Sequence, residues 1–125
     1  MRAKTINEVR RGLKPSPSLI GTGARTIISR WLDERGVTDY VIDGDLTIGV
    51  TGDVDLSGKI DGGRLPSHIR FGRVGGGFHC GGNSLTTLEG APREVGGDFY
   101  CGGNPVKFTE GDVRERTNVG KNIYI

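Results

Sequence analysis

The composition of this chain narrows its structural class. Its 125 residues carry 17 Lys and Arg against 15 Asp and Glu, a formal net charge of +2, and 23 of them are glycine. This length fits one domain, and apolar residues spread along a chain of small net charge argue against disorder. The lack of a strict Gly-X-Y period excludes collagen, and no apolar run reaches the ~18 residues that a membrane-spanning helix needs.

Charge is distributed along the chain in three blocks. Residues 1–36 carry a net charge of +5, residues 37–62 a net charge of −5 and residues 63–125 a net charge of +2. The first block lacks the apolar stretch of a signal peptide, so we expect a cytoplasmic location. The 2 cysteines of such a chain indicate free thiols rather than a disulfide scaffold.

Residues 1–37 are predicted to form an N-terminal helical cap. A short helix begins at Thr5 or Asn7, a loop rich in Pro and Ser covers residues 14–23, and a second helix covers residues 24–35. Helical spacing gathers four apolar residues of the second helix into one stripe, which must pack on the rest of the protein. The stripe consists of Ile27, Ile28, Trp31 and Leu32.

Residues 38–125 repeat one sequence pattern. The segments VGGGFHCGGNSL (74–85) and VGGDFYCGGNPV (95–106) align without a gap at a spacing of 21 residues. The segment VTGDVDLSGKI (50–60) fits the same frame 24 residues before the first copy, and VGKNIYI (119–125) fits it 24 residues after the second. A period of about 20–25 residues is typical of a solenoid, whose stacked repeats bury a shared core.

Each copy is predicted to supply one short strand in which two inward residues flank one outward residue. The inward pairs are Leu46/Ile48, Val54/Leu56, Phe78/Cys80, Phe99/Cys101 and Ile123/Ile125. An asparagine follows three residues after each cysteine. Asn83 and Asn104 are therefore expected to bond backbone groups that the turn leaves unpaired.

Two stretches depart from the repeat. The spacing from Leu46 to Val54 is too short for a full coil, so a local hairpin or a bent double strand is expected there. Thr109 followed by Asp112 has the spacing of an N-cap with an acidic residue in the first turn. This pair predicts a short helix before the last strand.

The repeat segments resemble a known family. FHCGGNSLTTLEGAPREVGGDFYCGGNPVKFTEGDV (78–113) and the closing VGKNIYI resemble leucine-rich-repeat-like proteins that are common in bacteriophage genomes, as does the lead-in WLDERGVTDYVIDGDLTIGVTGDVDLSG (31–58). The resemblance covers about residues 28–125. The expected fold class is α+β, a short leucine-rich-repeat-like β-solenoid over residues 38–125. The helical cap over residues 1–37 belongs to the same folded unit.

Two motifs could hold a metal ion or a redox pair, and neither is favoured. Cys80 and Cys101 fall one repeat apart, and strand alternation points His79 away from both, which indicates two core positions. Residues 53–64 resemble a calcium loop, but Arg64 stands where a bidentate glutamate is needed. The repeat frame explains the same residues, so we expect no metal and no cofactor.

The outward residues are predicted to form two columns on an exposed sheet face. One column is Thr47, Asp55, His79, Tyr100 and Tyr124, and the other is Asp45, Asp53, Gly77, Asp98 and Asn122. Repeat proteins commonly bind partners through aromatic and acidic strips of this kind, with a merely solvated face as the alternative. The residues predicted to contact a partner are Asp55, His79, Asp98, Tyr100 and Tyr124.

The sequence favours a non-catalytic binding module over an enzyme, because His68 and His79 lie in no recognisable nucleophile or acid–base motif. The phage resemblance implies a host protein or complex as partner, in the host cytoplasm, and inhibition of a host defence or regulatory complex is one role that we consider. An alternative is a virion or assembly component that self-associates through the C-terminal strand edge. A further alternative, less favoured because few aromatic residues interleave, is nucleic-acid binding through basic residues. These residues are Arg2, Lys4, Arg10, Arg11 and Lys14.

Overall fold

The computed structural model describes the backbone of residues 17–125 and the side chains of residues 23–125. The helix start predicted at Thr5 or Asn7 lies outside the described residues. The same holds for the basic residues of the nucleic-acid hypothesis, Arg2, Lys4, Arg10, Arg11 and Lys14. The helical cap is therefore described only by its second helix.

That helix, α1, spans Pro17–Glu34 and begins earlier than predicted. Proline suits the first turn of a helix, because its φ is fixed near the helical value and its missing amide would have no partner there. The loop predicted over residues 14–23 is therefore wrong from Pro17 onward. Gly36 ends the helix in the left-handed conformation at φ +77°, and its amide donates to the Asp33 carbonyl at 3.1 Å.

The apolar stripe of α1 is narrower than predicted. Ile28 and Leu32 are buried and Trp31 is partly buried, so these three residues face the core. Ile27 is 56% exposed and does not belong to the stripe. One residue corresponds to about 100° around a helix, so Ile27 is turned away from the side on which Ile28 lies.

Within the described residues, nine strands and a second helix follow α1 and form a β-solenoid of about three coils. The strands are β1 (Tyr40–Ile42), β2 (Ile48–Val50), β3 (Val54–Asp55), β4 (Phe71–Val74), β5 (Phe78–His79), β6 (Glu94–Val95), β7 (Phe99–Tyr100), β8 (Asn118–Val119) and β9 (Ile123–Tyr124). The first sheet has the order β1-β2-β4-β6-β8 and the second sheet has the order β3-β5-β7-β9. All pairings are parallel except that of β1 with β2.

Each coil contributes one strand to each sheet, which corrects the prediction of a single strand per repeat. The valine at the start of each copy is the last residue of a strand of the first sheet. The chain then turns at a corner, the short segment between the two sheets, and enters a strand of the second sheet. These valines form one column on adjacent strands of the first sheet and are paired in register: Val50, Val74, Val95 and Val119. All four valines are buried, so the core is lined from two sides.

A hairpin begins the solenoid, as predicted, but it lies earlier in the chain. Strands β1 and β2 pair antiparallel, and Leu46 lies in the turn between them at φ +69°. Ile48 then pairs with Phe71 in the first sheet. The prediction that Leu46 and Ile48 form an inward pair equivalent to Phe78 and Cys80 is therefore wrong.

The core of the second sheet consists of the predicted inward residues. Val54, Phe78, Phe99 and Ile123 are in register on adjacent strands. The Phe78 and Phe99 rings have centroids 5.5 Å apart, and both residues are fully buried. Ile125, predicted to point into the core, is 54% exposed, because the described residues place no further coil against it.

Glycines at the corners allow neighbouring coils to approach through their backbones. The amides of Gly75, Gly96 and Gly120 donate to carbonyls of the preceding coil at 2.7–2.8 Å. A Cβ atom on Gly96 would overlap the carbonyl oxygen of Gly75, and one on Gly120 would lie 2.5 Å from the carbonyl oxygen of Gly96. These positions need glycine for the close approach and not for a left-handed φ.

An asparagine ladder joins the coils on the inner side of the turns, as predicted. The Asn83 side chain donates to the carbonyls of Leu56 and Cys80 at 3.0 and 2.9 Å. The Asn104 side chain donates to the Cys101 carbonyl at 2.9 Å, and its oxygen accepts from the backbone amide of Asn83 at 3.2 Å. Each asparagine thus pairs backbone groups of its own coil and of the one before it.

The short helix predicted before the last strand is α2, Glu110–Arg114. Thr109 is its N-cap, and the Thr109 and Asp112 side chains exchange hydrogen bonds with each other's backbone amides as a capping box. Val113 is fully buried and anchors the helix to the solenoid. Neither α2 nor α1, in the part of the chain that the structure describes, is long and apolar enough to cross a membrane.

The corner contacts predict a specific sensitivity to added methyl groups. Gly96→Ala should lower the free energy of unfolding by about 1–3 kcal/mol, because its Cβ meets a backbone oxygen that cannot move without shifting a coil. Gly49→Ala is the matched control, since nothing lies within 4 Å of a Cβ at that position. Urea denaturation of both variants measures the difference, and equal midpoints would contradict the corner argument.

The asparagine ladder predicts that loss of a ladder asparagine destabilises the fold more than loss of an exposed one. Asn104→Ala should lower the free energy of unfolding by about 1–3 kcal/mol, because it leaves partly buried backbone groups of two coils without their hydrogen-bond partner. Asn118→Ala, at an exposed position in β8, should change it by less than about 0.5 kcal/mol. Thermal unfolding monitored by circular dichroism compares the two variants, and similar losses would show that the ladder is not a main support of the fold.

Candidate binding face

The outward residues of the second sheet form a continuous column, which we call the outward column: Asp55, His79, Tyr100 and Tyr124. Strand register places each of them directly beside the next. The His79 and Tyr100 rings are stacked with centroids 4.3 Å apart and planes 19° apart. The Tyr100 and Tyr124 rings are stacked at 4.6 Å and 12°. The sheet therefore holds three rings in one preset arrangement.

The stacking decides which parts of the rings a partner can reach. The Tyr100 ring is covered on both faces by its neighbours, so it presents its edge and its hydroxyl group outward. The Tyr124 ring is covered by Tyr100 on one face and is 46% exposed. The outward column thus offers polar tips along its length and an aromatic face at its end.

Charge differs along the outward column, between Asp55 at one end and Tyr100 in the middle. Hydrogen bonds from the backbone and side chain of Ser57 lower the pKa of Asp55, so this carboxylate is ionised near neutral pH. Partial desolvation, then the charge of Asp98 and the neighbouring Tyr124, raises the pKa of Tyr100. The Tyr100 phenol therefore stays protonated near neutral pH and can donate a hydrogen bond.

In the second predicted column, Asp53 and Asp98 form hydrogen bonds that hold neighbouring coils together. One Asp53 carboxylate oxygen accepts from the Gly77 amide at 2.7 Å, and one Asp98 carboxylate oxygen accepts from the Asn122 amide at 2.9 Å. Both carboxylates thus join one coil to the next at the corner. Asp98, predicted to contact a partner, lies beside the outward column with this oxygen already engaged.

Two predicted face residues do not reach the face. Thr47 is buried with 7% of its surface exposed, because it lies in the hairpin leading into β2 and packs beside Gly72. Asp45 lies in the turn of that hairpin, where its carboxylate accepts from the Thr47 amide at 3.1 Å. The hairpin belongs to the first sheet, so neither residue extends the columns of the second sheet.

The two cysteines occupy core positions. Cys80 and Cys101 are buried free thiols, and His79 faces the other side of the sheet. Burial raises the pKa of the Cys80 thiol to about 12 and that of the Cys101 thiol to about 11. Neither sulfur therefore exists as a thiolate, the form that attacks substrates or binds metals, near neutral pH.

The residues of the calcium-like loop serve the solenoid. Besides the corner bond of Asp53, an Asp55 carboxylate oxygen accepts from the Ser57 amide at 3.0 Å. Arg64 pairs with Glu89 at 2.8 Å. Across residues 17–125, no group of three or more His, Cys, Asp and Glu side chains is placed to hold a metal ion.

Sequence reasoning identified the residues of the outward column but not the way in which they contact one another. It also did not predict the first sheet. The signal for that sheet is the valine at the start of each copy, an inward position before the corner. Comparison with protein families, curated proteins and solved structures finds no match for this chain.

The state of the thiols gives a direct test of the core assignment. Iodoacetamide at pH 8 should leave native Cys80 and Cys101 unmodified, because their raised pKa values keep both protonated and burial blocks access. Denaturant should make both react. Mass spectrometry reads the result, and a Val41→Cys variant, at a position that is 63% exposed, supplies an exposed thiol as positive control. Rapid modification of either native cysteine would contradict its place in the core.

Proposed function

We propose that this chain is a non-catalytic protein-binding module whose contact surface is the outward column. The observation that carries the proposal is the stack of His79, Tyr100 and Tyr124 on a rigid sheet. Aromatic residues that are already ordered lose little conformational entropy on binding, which is a common property of interface anchors. The ionised Asp55 adds a charge at one end, which favours a partner surface that carries a basic group near an apolar one.

We further propose that the chain is a leucine-rich-repeat-like solenoid of the phage type. Its proposed partner is a host protein or protein complex in the host cytoplasm. Short strands, glycine corners and the asparagine ladder support the repeat class. The role proposed for the complex is inhibition of a host defence or regulatory assembly. A non-catalytic role is supported by the structural use of Cys80, Cys101, Asp53 and Asp98 described above.

A second candidate function is self-association as an assembly component. The exposed apolar residues at the C-terminal end of the solenoid favour it. Tyr124 is 46% exposed, Ile125 is 54% exposed and Val106 is 39% exposed. Val106 follows Asn104 as the buried Leu85 follows Asn83, but the described residues of the next coil, which supplies β8 and β9, place no equivalent residue against it.

Loss of a tyrosine of the outward column should weaken the complex with a host partner. Tyr100→Ala removes the central ring and Tyr124→Ala removes the exposed one, and each should reduce capture from host lysate at least about tenfold. Val41→Ala is the matched control, because Val41 is 63% exposed in β1 on the other sheet. Circular dichroism confirms that all three variants stay folded.

A competing outcome separates this proposal from nucleic-acid binding. If both tyrosine variants bind normally and deletion of residues 1–14 abolishes binding, the basic N-terminal residues carry the contact instead. Binding of duplex DNA or RNA that weakens steeply with salt would support that alternative.

A further inference from the structure

We infer that two copies of this chain join through β9, in an antiparallel two-fold pairing centred on Tyr124. This inference rests on the second candidate function, self-association, and names its partner and register. The outer edge of β9 is then paired with the same edge of a second copy. The side chains of the three residues that meet, Ile123, Tyr124 and Ile125, carry no charge, so the two-fold axis brings no like-charged side chains together within the paired segment.

The hydrogen-bonding pattern of the second sheet identifies the groups at this edge. In each earlier coil, the amides of both inward residues donate to carbonyls of the next coil. Phe99 donates to the Asn122 carbonyl and Cys101 to the Tyr124 carbonyl, both at 2.9 Å. Ile123 and Ile125 occupy the same two positions in β9, beyond which the described residues place no strand. Their amides therefore point outward along the sheet as donors for an added strand.

The sequence of this edge is the same in both directions. Read either way, the segment is Ile-Tyr-Ile, so an antiparallel copy places Tyr124 opposite its mate and Ile123 opposite Ile125 of the second copy. The outward amides make the Ile123–Ile125 pairs the hydrogen-bonded ones and leave the tyrosines as a non-hydrogen-bonded pair, in which side chains lie closest. A shift by one residue would place tyrosine on the core side, so the register is strongly selected.

The opposite end of the solenoid is a poorer partner for this edge. There, β1 adds an antiparallel strand to the first sheet, and α1 packs Ile28 and Leu32 into the core. Arg35 and Lys59 further link the end of α1 to the first coil, through side-chain bonds of 2.9 and 3.0 Å to each other's backbone carbonyls. Head-to-tail stacking would have to bring β9 to β3, the edge strand of the second sheet at this end, beside α1 and β1, whereas edge-to-edge pairing of β9 closes after two copies.

Pairing of the edges extends the proposed binding surface. The exposed face of Tyr124 then packs against the ring of its mate, so the outward column continues from one copy into the other and presents ring edges and hydroxyl groups along its length. Ile125, exposed in a single copy, gains Ile123 of the second copy as a neighbour on the core side. A dimer would therefore present two stacked columns on one sheet to the partner.

Disulfide trapping tests the register. Opposed residues of a non-hydrogen-bonded pair have Cα atoms about 4.5 Å apart, a distance that a disulfide can span. Tyr124→Cys, oxidised with diamide, should form a covalent dimer on a non-reducing gel, while the native Cys80 and Cys101 are buried. Tyr100→Cys is the matched control, one strand away from the axis, and should stay monomeric on the gel. Equal trapping of both variants, or none of Tyr124→Cys, would overturn the register.

Sedimentation measures the association without any cysteine variant. The wild-type chain should form a species of twice 13.4 kDa and nothing larger as its concentration rises. Ile125→Pro should abolish that species because it removes an edge amide, and Ile125→Val, which keeps the amide, should retain it. A growing series of larger species would overturn two-fold closure but leave self-association standing. A chain that stays monomeric at all concentrations would overturn both, and neither result bears on capture of a host protein through the outward column.

Discussion

The structure depends on the close approach of backbone to backbone where each coil turns from the first sheet into the second. At Gly75, Gly96 and Gly120 the corner amide bonds to the preceding coil, and a side chain on these residues would meet a neighbouring carbonyl group. Parallel strands can pair in register only at the normal strand separation of about 4.7–4.9 Å, so the corners must not force the coils further apart. Part of the high glycine content follows from this requirement, since each coil needs its own corner.

The same spacing produces the candidate binding face. Because each coil sits directly on the one before it, a residue at one outward position stands beside its equivalents at the strand separation. That separation is close to the distance at which aromatic rings stack, and His79, Tyr100 and Tyr124 have centroids 4.3 and 4.6 Å apart. On the inner side the same register aligns Phe78 with Phe99, so one geometry orders both the core and the exposed column.

The sequence predicts the repeat, its inward residues and the asparagine turns, because these recur at a fixed period and each has a local physical reason. It fails where a single copy departs from the period. Leu46 and Ile48 match the frame by residue type, but they lie in a hairpin whose register is decided by pairing of β1 with β2. The stacking of the outward column could be expected only in outline, since the period gives the neighbours but not the ring orientations. The start of α1 at Pro17 was missed because the rules for turns and for helix starts both apply to proline.

The two ends of the solenoid are capped to different extents. Any stack of coils leaves core residues and strand edges uncovered at its ends, and repeat proteins need caps to remain soluble. At the first end, α1 inserts Ile28 and Leu32 over the core, and Gly36 turns the chain so that the buried Val37 leads into β1. At the other end, α2 buries Val113, while Ile125 and Val106 stay exposed beside β9, against whose outer edge the described residues place no strand. This edge presents an aromatic residue, Tyr124, between the two aliphatic residues Ile123 and Ile125. It is suited to a partner that supplies the same three residues in reverse, because each bond is then made twice across the two-fold axis.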